Sequence, residues 1–117
     1  MNNLKSITKF LKALSDTARI RIICLLSSRE DLCVCEIGEI IDLSQPTISS
    51  HLKILKEVGI IVYEKDGRWI NYKMNPRMDK DLRGALNCFL LSLENDKEIN
   101  RDLGKLSSTD RKVICSK

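Results

Sequence analysis

Two cysteines that are one residue apart, Cys33 and Cys35, carry the most distinctive chemical pattern in this chain of 117 residues. They lie in the segment CVCEIG, residues 33–38. Paired thiolates are soft donors that suit thiophilic ions and serve poorly for hard metals, which prefer carboxylate oxygens. The chain has five cysteines at irregular spacings, and this odd number argues against a disulfide framework and for a reducing compartment. We therefore interpret Cys33 and Cys35 as ligands of a thiophilic ion.

The placement of the two thiols on a helix suggests how such an ion could act. Val34, Ile37 and Ile41 recur at helical spacing and predict a helix that begins near the cysteines. On a regular helix, residues i and i+2 are about 200° apart around the axis. One ion could then bind both thiols only where the first turn unwinds. Gly38 would ease that unwinding, because glycine in a helix costs about 1 kcal/mol relative to alanine. Our hypothesis is that ion binding melts the start of this helix.

The other three cysteines differ from this pair in their surroundings. Cys24 lies in the apolar run RIICLL and is predicted to be a core residue. Cys88 is expected to be a small apolar residue at an interface, and Cys115 lies near the end of the chain. Cys88 and Cys115 are the candidates for a third protein ligand, with water or a small cellular thiol as alternatives.

An enzymatic role for the thiols has no support in the sequence. The pair is C-x-C rather than the C-x-x-C redox motif, and no histidine lies nearby in sequence to act as a base. Cys24 and Arg29 are separated by four residues in an apolar, glycine-poor stretch, unlike the loop of cysteine phosphatases. We expect a protein that is not an enzyme and requires no cofactor.

The apolar periodicity predicts the helices that position the thiols. A first helix is expected over residues 3–14, and Ser15 is expected to cap a second. The helix with the cysteines ends near residues 42–43. Ser44 then caps a fourth helix, with Pro46 in its first turn and a glycine at its end. Two short helices joined by a tight turn are the helix-turn-helix pattern.

A β-hairpin is predicted directly after these helices. The segment IIVYEKDGRWINYKM contains Asp66-Gly67, a favoured two-residue turn, between runs rich in β-forming residues. Such a turn pairs Tyr63 with Ile70, and Ile61 with Tyr72. A hairpin that follows a helix-turn-helix is a wing, and an apolar stripe beyond it predicts a fifth helix.

The predicted fold class is mainly α with a β-hairpin wing (α+β): a winged helix-turn-helix of four helices, two strands and a fifth helix. Residues 1–94 form the DNA-binding and dimerisation domain. Residues 95–117 form a charged C-terminal tail that is expected to be poorly packed, either a short helix or disordered. The first and fifth helices are more apolar than one small domain requires, so they are predicted to form a symmetric homodimer. The residues predicted for this interface are Leu4, Ile7, Leu11, Leu82, Leu86, Phe89 and Leu93.

A second set of residues is predicted to contact DNA. Residues 31–43 carry four acidic and no basic side chains, whereas residues 44–77 carry six basic and three acidic ones. Small polar side chains on the fourth helix reach base edges or phosphates, and lysines and arginines suit phosphates. The candidates are Ser44, Gln45, Thr47, Ser49, Ser50, Lys53 and Lys56 on the fourth helix, and Lys65 and Arg68 at the wing tip. His51 lies only about 60° around the fourth helix from its apolar stripe of Ile48, Leu52 and Leu55. It is therefore interpreted as a residue at the boundary of the core, with a hydrogen-bonded ring.

The compartment is predicted from what the sequence does not contain. Its longest apolar run is far shorter than a membrane span, and the N-terminal segment MNNLKSITKF has no signal-peptide core. We expect a cytoplasmic protein with no membrane partner.

The segment DLCVCEIGEIIDLSQPTISSHLKILKEVGIIVYEKDGRWINYKMNP strongly resembles the ArsR/SmtB family of metal-sensing winged-helix repressors. The likeness extends back through LKALSDTARIRIICLL and covers about residues 7–90. DLCVCE looks like the thiol box of the arsenic- and antimony-responsive members. The resemblance implies a homodimer that represses an operator on double-stranded DNA. It also implies that the inducer, As(III) or Sb(III), binds Cys33 and Cys35 and releases the protein.

Departures from the family's patterns bear on the choice of inducer. Arsenic sensors with this box commonly have a third cysteine where this chain has Gly38. Cadmium- and lead-responsive members draw cysteines from an N-terminal arm, and residues 1–23 contain none. Zinc sensors use histidines on the last helix, and residues 78–99 contain no histidine. The arsenic and antimony class is favoured, with Cd(II) or Pb(II) sensing, thiol oxidation at the same cysteines and metal buffering as alternatives.

Overall fold

Eight elements follow one another in the part of the chain, residues 2–108, that this computed structural model describes. They are α1 (Leu4–Leu14), α2 (Thr17–Ser28), α3 (Val34–Ile41), α4 (Gln45–Glu57), β1 (Ile61–Asp66), β2 (Trp69–Met74), α5 (Lys80–Leu91) and α6 (Lys97–Ser107). The order through α5 confirms the predicted winged helix-turn-helix. No helix among the described residues is both long and apolar enough to cross a membrane.

The helix boundaries follow from side chains that bind the first backbone N–H groups. Asn3 caps α1 and forms a capping box with Ser6. Asp16, with extended backbone angles, caps α2 and accepts from the Arg19 amide at 3.1 Å. The prediction that Ser15 caps α2 is therefore wrong by one residue. Ser15 instead ends α1, where its own amide donates to the carbonyl of Lys12.

The helix-turn-helix consists of α3, a short turn and α4. Asp42 ends α3 in the left-handed region, with φ 60°. Ser44 caps α4 as predicted, because its hydroxyl accepts from the Thr47 amide at 3.3 Å, and Pro46 occupies the first turn. Gly59 follows α4 with φ 80°, a conformation that L side chains adopt rarely. Ser44 and Gly59 thus fix where α4 begins and ends. As the second helix of the helix-turn-helix, α4 is called the recognition helix below.

The wing is an antiparallel pair whose register differs from the predicted one. Tyr63 pairs with Tyr72 and Asp66 pairs with Trp69, so the two residues of the turn are Gly67-Arg68. The predicted Asp66-Gly67 turn would need positive φ at both central residues, whereas here Gly67 alone, with φ 62°, supplies it. The shift is two residues along the partner strand, so each side chain keeps the predicted face of the hairpin.

The segment before the thiols is joined to the wing, which the sequence did not reveal. Leu32 pairs with Tyr72 of β2: the Leu32 amide donates to the Tyr72 carbonyl at 3.1 Å, and the Tyr72 amide donates back at 2.8 Å. Leu32 is fully buried. The residue that directly precedes Cys33 is therefore held against β2 by two backbone hydrogen bonds.

The helix α6 corrects the expectation of poor packing for Lys97–Ser107. Asp102 is only 1% exposed and accepts from the Arg21 guanidinium of α2 at 2.8 and 2.9 Å. Ile99 and Leu106 are buried beside it. Arg29 donates to the Leu106 carbonyl at 2.7 Å and so satisfies the C-terminal end of the helix. The short final helix exists, and it packs on α2 and α3. Residues 109–117 lie outside the described part of the chain.

The hydrophobic core lies where α2, α3 and α4 meet the base of the wing. Its fully buried large side chains are Ile22, Ile23, Leu25, Leu26, Leu32, Ile37, Ile40, Ile48, Leu52, Leu55, Ile60 and Ile61. Cys24 lies among them at 7% exposure, which confirms its predicted core position. Because α3 and α4 share this core, the helix with the thiols and the recognition helix pack directly on each other.

Candidate functional site

Cys33 is the N-cap of α3 rather than a residue inside the helix. Its backbone is extended, with φ −93° and ψ 168°, and the residue is 4% exposed. Only Cys35 lies in the first helical turn. The predicted separation of about 200° between two helical positions therefore does not apply to this pair. The geometric argument for unwinding of α3 assumed two helical cysteines, and it loses that premise because Cys33 lies outside the helix.

A buried carboxylate holds the start of α3 together. The Cys33 amide donates to Glu36 Oε1 at 3.0 Å, and the two residues form a capping box. Glu36 is 4% exposed. A capping box has a recognisable sequence signature, in which Ser or Thr precedes Glu by three residues. Here cysteine takes the place of Ser or Thr, which is why the sequence did not reveal it.

Cys35 contacts the recognition helix. The Gln45 side-chain amide, at the first position of α4, lies 3.6 Å from Cys35 Sγ and donates a hydrogen bond to it. Gln45 is exposed and Cys35 is partly exposed, so the contact lies at the surface between the two helices. The sequence places both residues in the correct elements but not in contact, because the contact depends on how the turn folds α4 back against α3.

The thiol pair also faces the wing. One open cleft of about 330 Å³ is lined by Cys33, Val34, Cys35, Arg68, Trp69 and Ile70. The structure therefore brings both predicted ligands together with Arg68, a predicted DNA contact. The Arg68 guanidinium lies 5.1 Å from the centre of the Trp69 ring, a cation–π distance. A ligand bound between the thiols would lie between the recognition helix and the wing.

Among the described residues, no third protein ligand joins this cluster. Within residues 2–108, no group of three or more His, Cys, Asp or Glu side chains could hold a metal ion. Cys88 is exposed on α5 and does not join Cys33 and Cys35 within one chain. Cys115 lies outside the described residues. The described part of the chain thus offers a two-thiol site.

The predicted DNA contacts all lie on the surface. The exposed set is Ser44, Gln45, Thr47, Ser49, Ser50, Lys53, Lys56, Lys65 and Arg68. Several of these side chains are already oriented by neighbours. The Ser44 and Thr47 hydroxyls are 2.8 Å apart, Ser50 donates to the Pro46 carbonyl at 3.0 Å, and Lys56 Nζ lies 4.8 Å from the Tyr63 ring centre. Helix α4 and the wing therefore present polar and basic groups outward.

His51 has the half-buried position and the partner expected of a boundary residue. Its Nδ1 lies 3.2 Å from Arg19 Nη1, a hydrogen-bond distance. Arg19 also donates through Nε to the Ala13 carbonyl of α1 at 2.7 Å. The arginine thereby links the end of α1 to the middle of the recognition helix.

Cys24 lies in surroundings that disfavour its thiolate. Burial, followed by the negative charges of Asp102 and Asp96, raises the pKa of this thiol to about 11. The thiolate, which is the nucleophilic and ligating form, is therefore harder to form at Cys24 than at an ordinary cysteine.

Three of the seven residues predicted for the dimer stripe are exposed in the single chain. Leu4 is 85% exposed, and Leu11 and Phe89 are each 50% exposed. Ile7, Leu82 and Leu93 are partly buried. Leu86 differs from the rest, because at 2% exposure it belongs to the core of its own chain rather than to an outer face. An apolar groove runs between α1 and α5, with Leu11, Leu14, Phe89 and Leu93 among its lining residues.

Comparisons with known proteins agree with the helix-turn-helix and wing described above. The family described as "Bacterial regulatory protein, arsR family" matches residues 16–63. The arsenical resistance operon repressor of Escherichia coli (strain K12) is 36% identical over 113 residues, which cover 92% of this chain and 94% of that protein. A cadmium resistance transcriptional regulatory protein CadC homolog of Staphylococcus aureus is 40% identical over 80 residues, covering 68% and 66%. The solved transcriptional repressor BigR from Xylella fastidiosa superposes with a TM-score of 0.62 at 28% identity, covering 79% of this chain and 90% of that one.

Proposed function

The chain belongs to the arsR family of bacterial regulatory proteins, and we propose that it represses transcription by binding operator DNA as a homodimer. As(III) or Sb(III) is the proposed inducer, which binds Cys33 and Cys35 and releases the protein from DNA. The family consists of regulatory proteins rather than enzymes, in agreement with the sequence prediction. The cytoplasm, where the thiols stay reduced, is the proposed compartment.

The observation that carries this proposal is the position of the thiols between the two elements that face DNA. Cys33 and Cys35 share a cleft with Arg68 of the wing, and the sulfur of Cys35 lies 3.6 Å from the Gln45 amide of α4. A ligand that reorganises the thiols therefore acts at once on both elements. The similarity to the arsenical repressor of Escherichia coli supports arsenic as the ligand.

Exposed groups support the DNA and dimer parts of the proposal. The recognition helix of a helix-turn-helix lies in the major groove, and the exposed face of α4 is polar and basic as such a helix requires. The wing-tip residues Lys65 and Arg68 can contact phosphates. The exposed stripes of α1 and α5, with Leu11 and Phe89 facing one groove, supply an apolar surface for a second copy. A two-fold dimer would present two recognition helices to a palindromic operator.

The chemistry at the site is ligand exchange without electron transfer. For arsenite, each As–S bond forms as one thiol loses its proton and arsenic loses one hydroxide, and the two leave together as water. Cys33 and Cys35 supply two sulfurs. A retained hydroxide, a small cellular thiol or Cys115 would complete a three-coordinate ion, and Cys115→Ser tests the last of these.

A titration on operator DNA tests the proposal. Binding of a fluorescently labelled promoter duplex from the chain's own gene would be followed by anisotropy while arsenite, antimonite, cadmium, zinc or peroxide is added. We expect arsenite and antimonite to weaken operator binding of the wild type by roughly 5–150-fold, the usual range of allosteric coupling. Cys33→Ser and Cys35→Ser should bind the operator but lose this response.

Cys88→Ser is the comparison variant, because Cys88 is an exposed cysteine outside the thiol cluster of its own chain, and a lost response would assign it as a third ligand from the second copy. It should behave as the wild type. If Cys33→Ser and Cys35→Ser both kept the full response to arsenite, the thiol pair would not be the inducer site. Release by peroxide alone would instead indicate a redox switch.

Cadmium is the second candidate inducer, because the CadC homolog of Staphylococcus aureus is 40% identical to this chain over 80 residues. Cadmium accepts thiolate ligands, but Cys33 and Cys35 supply only two, and no group of three or more His, Cys, Asp or Glu side chains that could hold a metal occurs within residues 2–108. The same titration separates the candidates, because a cadmium sensor would respond to Cd(II) at lower concentrations than to arsenite.

A further inference from the structure

We propose that Gln45 is the positioning residue through which the thiol pair controls DNA binding. In the DNA-binding state the sulfur of Cys35 holds the Gln45 side chain by a hydrogen bond, and the inducer releases that side chain when it takes the sulfur. The identity of the inducer rests on the proposed function above. The contact between Gln45 and Cys35 does not depend on it.

The geometry isolates Gln45 as the movable part of this junction. Its Nε2 lies 3.6 Å from Cys35 Sγ, a length suited to an N–H···S hydrogen bond. The backbone on either side is fixed: Ser44 caps α4 through the Thr47 amide, and Pro46 constrains the next residue. Loss of the sulfur contact therefore frees the Gln45 side chain while the start of α4 stays in place.

The position of Gln45 makes its orientation consequential for DNA. It is the first residue of α4, and recognition helices contact base edges with their N-terminal residues. A glutamine carboxamide can form paired hydrogen bonds with adenine or bind a phosphate, but only where the amide is correctly aimed. Holding a flexible side chain before binding reduces the entropy lost on complex formation. The Cys35 sulfur can supply that preorganisation.

The inducer removes the hydrogen bond for a chemical reason. Arsenic replaces the proton of the Cys35 thiol, and the direction of the new S–As bond, unlike that of the S–H bond, is set by the position of the ion. Cys35 must also turn toward the ion that it shares with Cys33, which redirects the remaining lone pairs away from α4. By linkage, DNA that engages Gln45 in its held orientation lowers the affinity of the thiols for the inducer by the same factor.

Two substitutions at Gln45 test the idea. Gln45→Met keeps the length of the side chain and removes the donor, and Gln45→Asn keeps the amide but shortens its reach. For each variant, operator affinity is measured by anisotropy with and without saturating arsenite, and arsenite binding to the DNA-free protein is measured by thiol titration. We expect both variants to bind arsenite, while the ratio of operator affinities falls at least about threefold below that of the wild type.

A double-mutant cycle tests the contact without any inducer. Operator affinity is compared for the wild type, Cys35→Ala, Gln45→Met and the double variant. If Cys35 positions Gln45, the two effects should deviate from additivity by at least about threefold, because residues in contact couple. Ser49→Ala in place of Gln45→Met is the matched control. Ser49 is an exposed polar residue of the same helix and should combine additively with Cys35→Ala.

The outcomes separate this inference from the proposed function. Additivity within about twofold, or full arsenite release of Gln45→Met, overturns the role of Gln45 even if the wild type is an arsenic sensor. If arsenite does not release the wild type, the proposed function fails, and the cycle still decides whether Cys35 positions Gln45. A coupled cycle with weakened release in both variants supports the inference.

Discussion

Individual residues of α3 show where the thiol site tolerates change. Gly38 occupies the position of the third cysteine in the arsenic sensors that the sequence resembles. A Cβ added there would meet the Leu43 carbonyl oxygen at 3.6 Å, an ordinary van der Waals distance, and the backbone φ is not in the left-handed region. Neither conformation nor space therefore requires glycine at this position, and a Cβ can be added without strain.

Gly38→Ala should stabilise the folded protein by roughly 0.5–1 kcal/mol, since alanine loses less backbone entropy than glycine when a helix forms. Urea unfolding measures this gain. If release from DNA involves loosening of α3, the same energy should raise the arsenite midpoint by roughly two- to fivefold.

Gly84→Ala provides the comparison for that experiment. Gly84 lies in α5, and an added Cβ would meet nothing within 4 Å. We expect similar stabilisation with an unchanged arsenite midpoint. An equal arsenite midpoint for Gly38→Ala and Gly84→Ala would show that α3 remains intact during release from DNA.

The buried thiol of Cys24 gives a pH-dependent prediction. Burial raises its pKa from the ordinary 9.0 to about 11, so the thiolate forms only at high pH. Because the folded state holds this proton more tightly than the unfolded state, the associated stability is full below about pH 9 and is lost as pH rises toward 11. Alkylation of native Cys24 by iodoacetamide should quicken by about tenfold per pH unit from pH 7 to 10.

Peptide mapping by mass spectrometry can follow each cysteine separately. Exposed Cys88 serves as the comparison and should be modified long before Cys24 at neutral pH. In urea the two rates should converge. Equal rates in the folded protein would show that Cys24 is accessible and not held in the core.

At the scale of elements, α6 is anchored by an ion pair that local sequence patterns do not reveal. Arg21 of α2 and Asp102 of α6 are 81 residues apart and form two hydrogen bonds, and the Asp102 hydrogen bond raises the pKa of Arg21. Breaking a buried pair by removing one partner leaves an uncompensated charge and is strongly destabilising. The ion pair thereby holds α6 against α2.

Asp102→Ala should therefore destabilise the protein by about 2–4 kcal/mol. The lower part of that range is expected, because Arg21 is 20% exposed and keeps Glu98 at 3.5 Å. Urea unfolding followed by circular dichroism measures the loss. Glu98→Ala, which removes the more exposed partner, should cost less than about 1 kcal/mol. Equal costs would mean that burial of Asp102 does not determine the strength of the pair.

The sequence predicted the elements better than the contacts between them. Helix periodicity, the Ser44 cap and the Gly67 turn region are local signals, so the first five helices and the wing could be predicted from neighbouring residues. The one-residue error at Ser15 and the two-residue register shift of the hairpin arose where adjacent residues offered similar chemistry. The contacts of Gln45 with Cys35, Leu32 with Tyr72 and Arg21 with Asp102 join separate elements, and no local pattern encodes them.

At the scale of the whole molecule, the exposed apolar stripe of α1 and α5 is the surface proposed for dimerisation. The Asn2 amide donates to Asp79 at 2.9 Å, which places the N-terminal ends of the two helices next to each other. Leu11 and Phe89 line the groove between these helices. Burying them against a second copy would remove two large apolar side chains from water.

Leu11→Glu should weaken the dimer by roughly 1–3 kcal/mol, about 5- to 150-fold in dissociation constant, because it brings a charge into the proposed contact. Sedimentation equilibrium measures the change directly, and operator affinity should fall with it. Lys9→Glu also adds a carboxylate to α1, but on an exposed position about 200° around the helix from Leu11. A dimer equally weakened by Lys9→Glu would show that charge, and not the apolar stripe, controls assembly.

Trp69 makes the thiol cleft observable by fluorescence. It is the only tryptophan in the chain, and it lines the cleft that contains both thiols. Indole emission depends on the polarity and the quenching groups around the ring, so the tryptophan fluorescence of the unlabelled protein, excited where tyrosine does not absorb, reports on the thiol cleft. The molecule carries its own optical probe at the place where its ligand is expected, and the binding of thiophilic ions can be followed in solution without DNA or a dye.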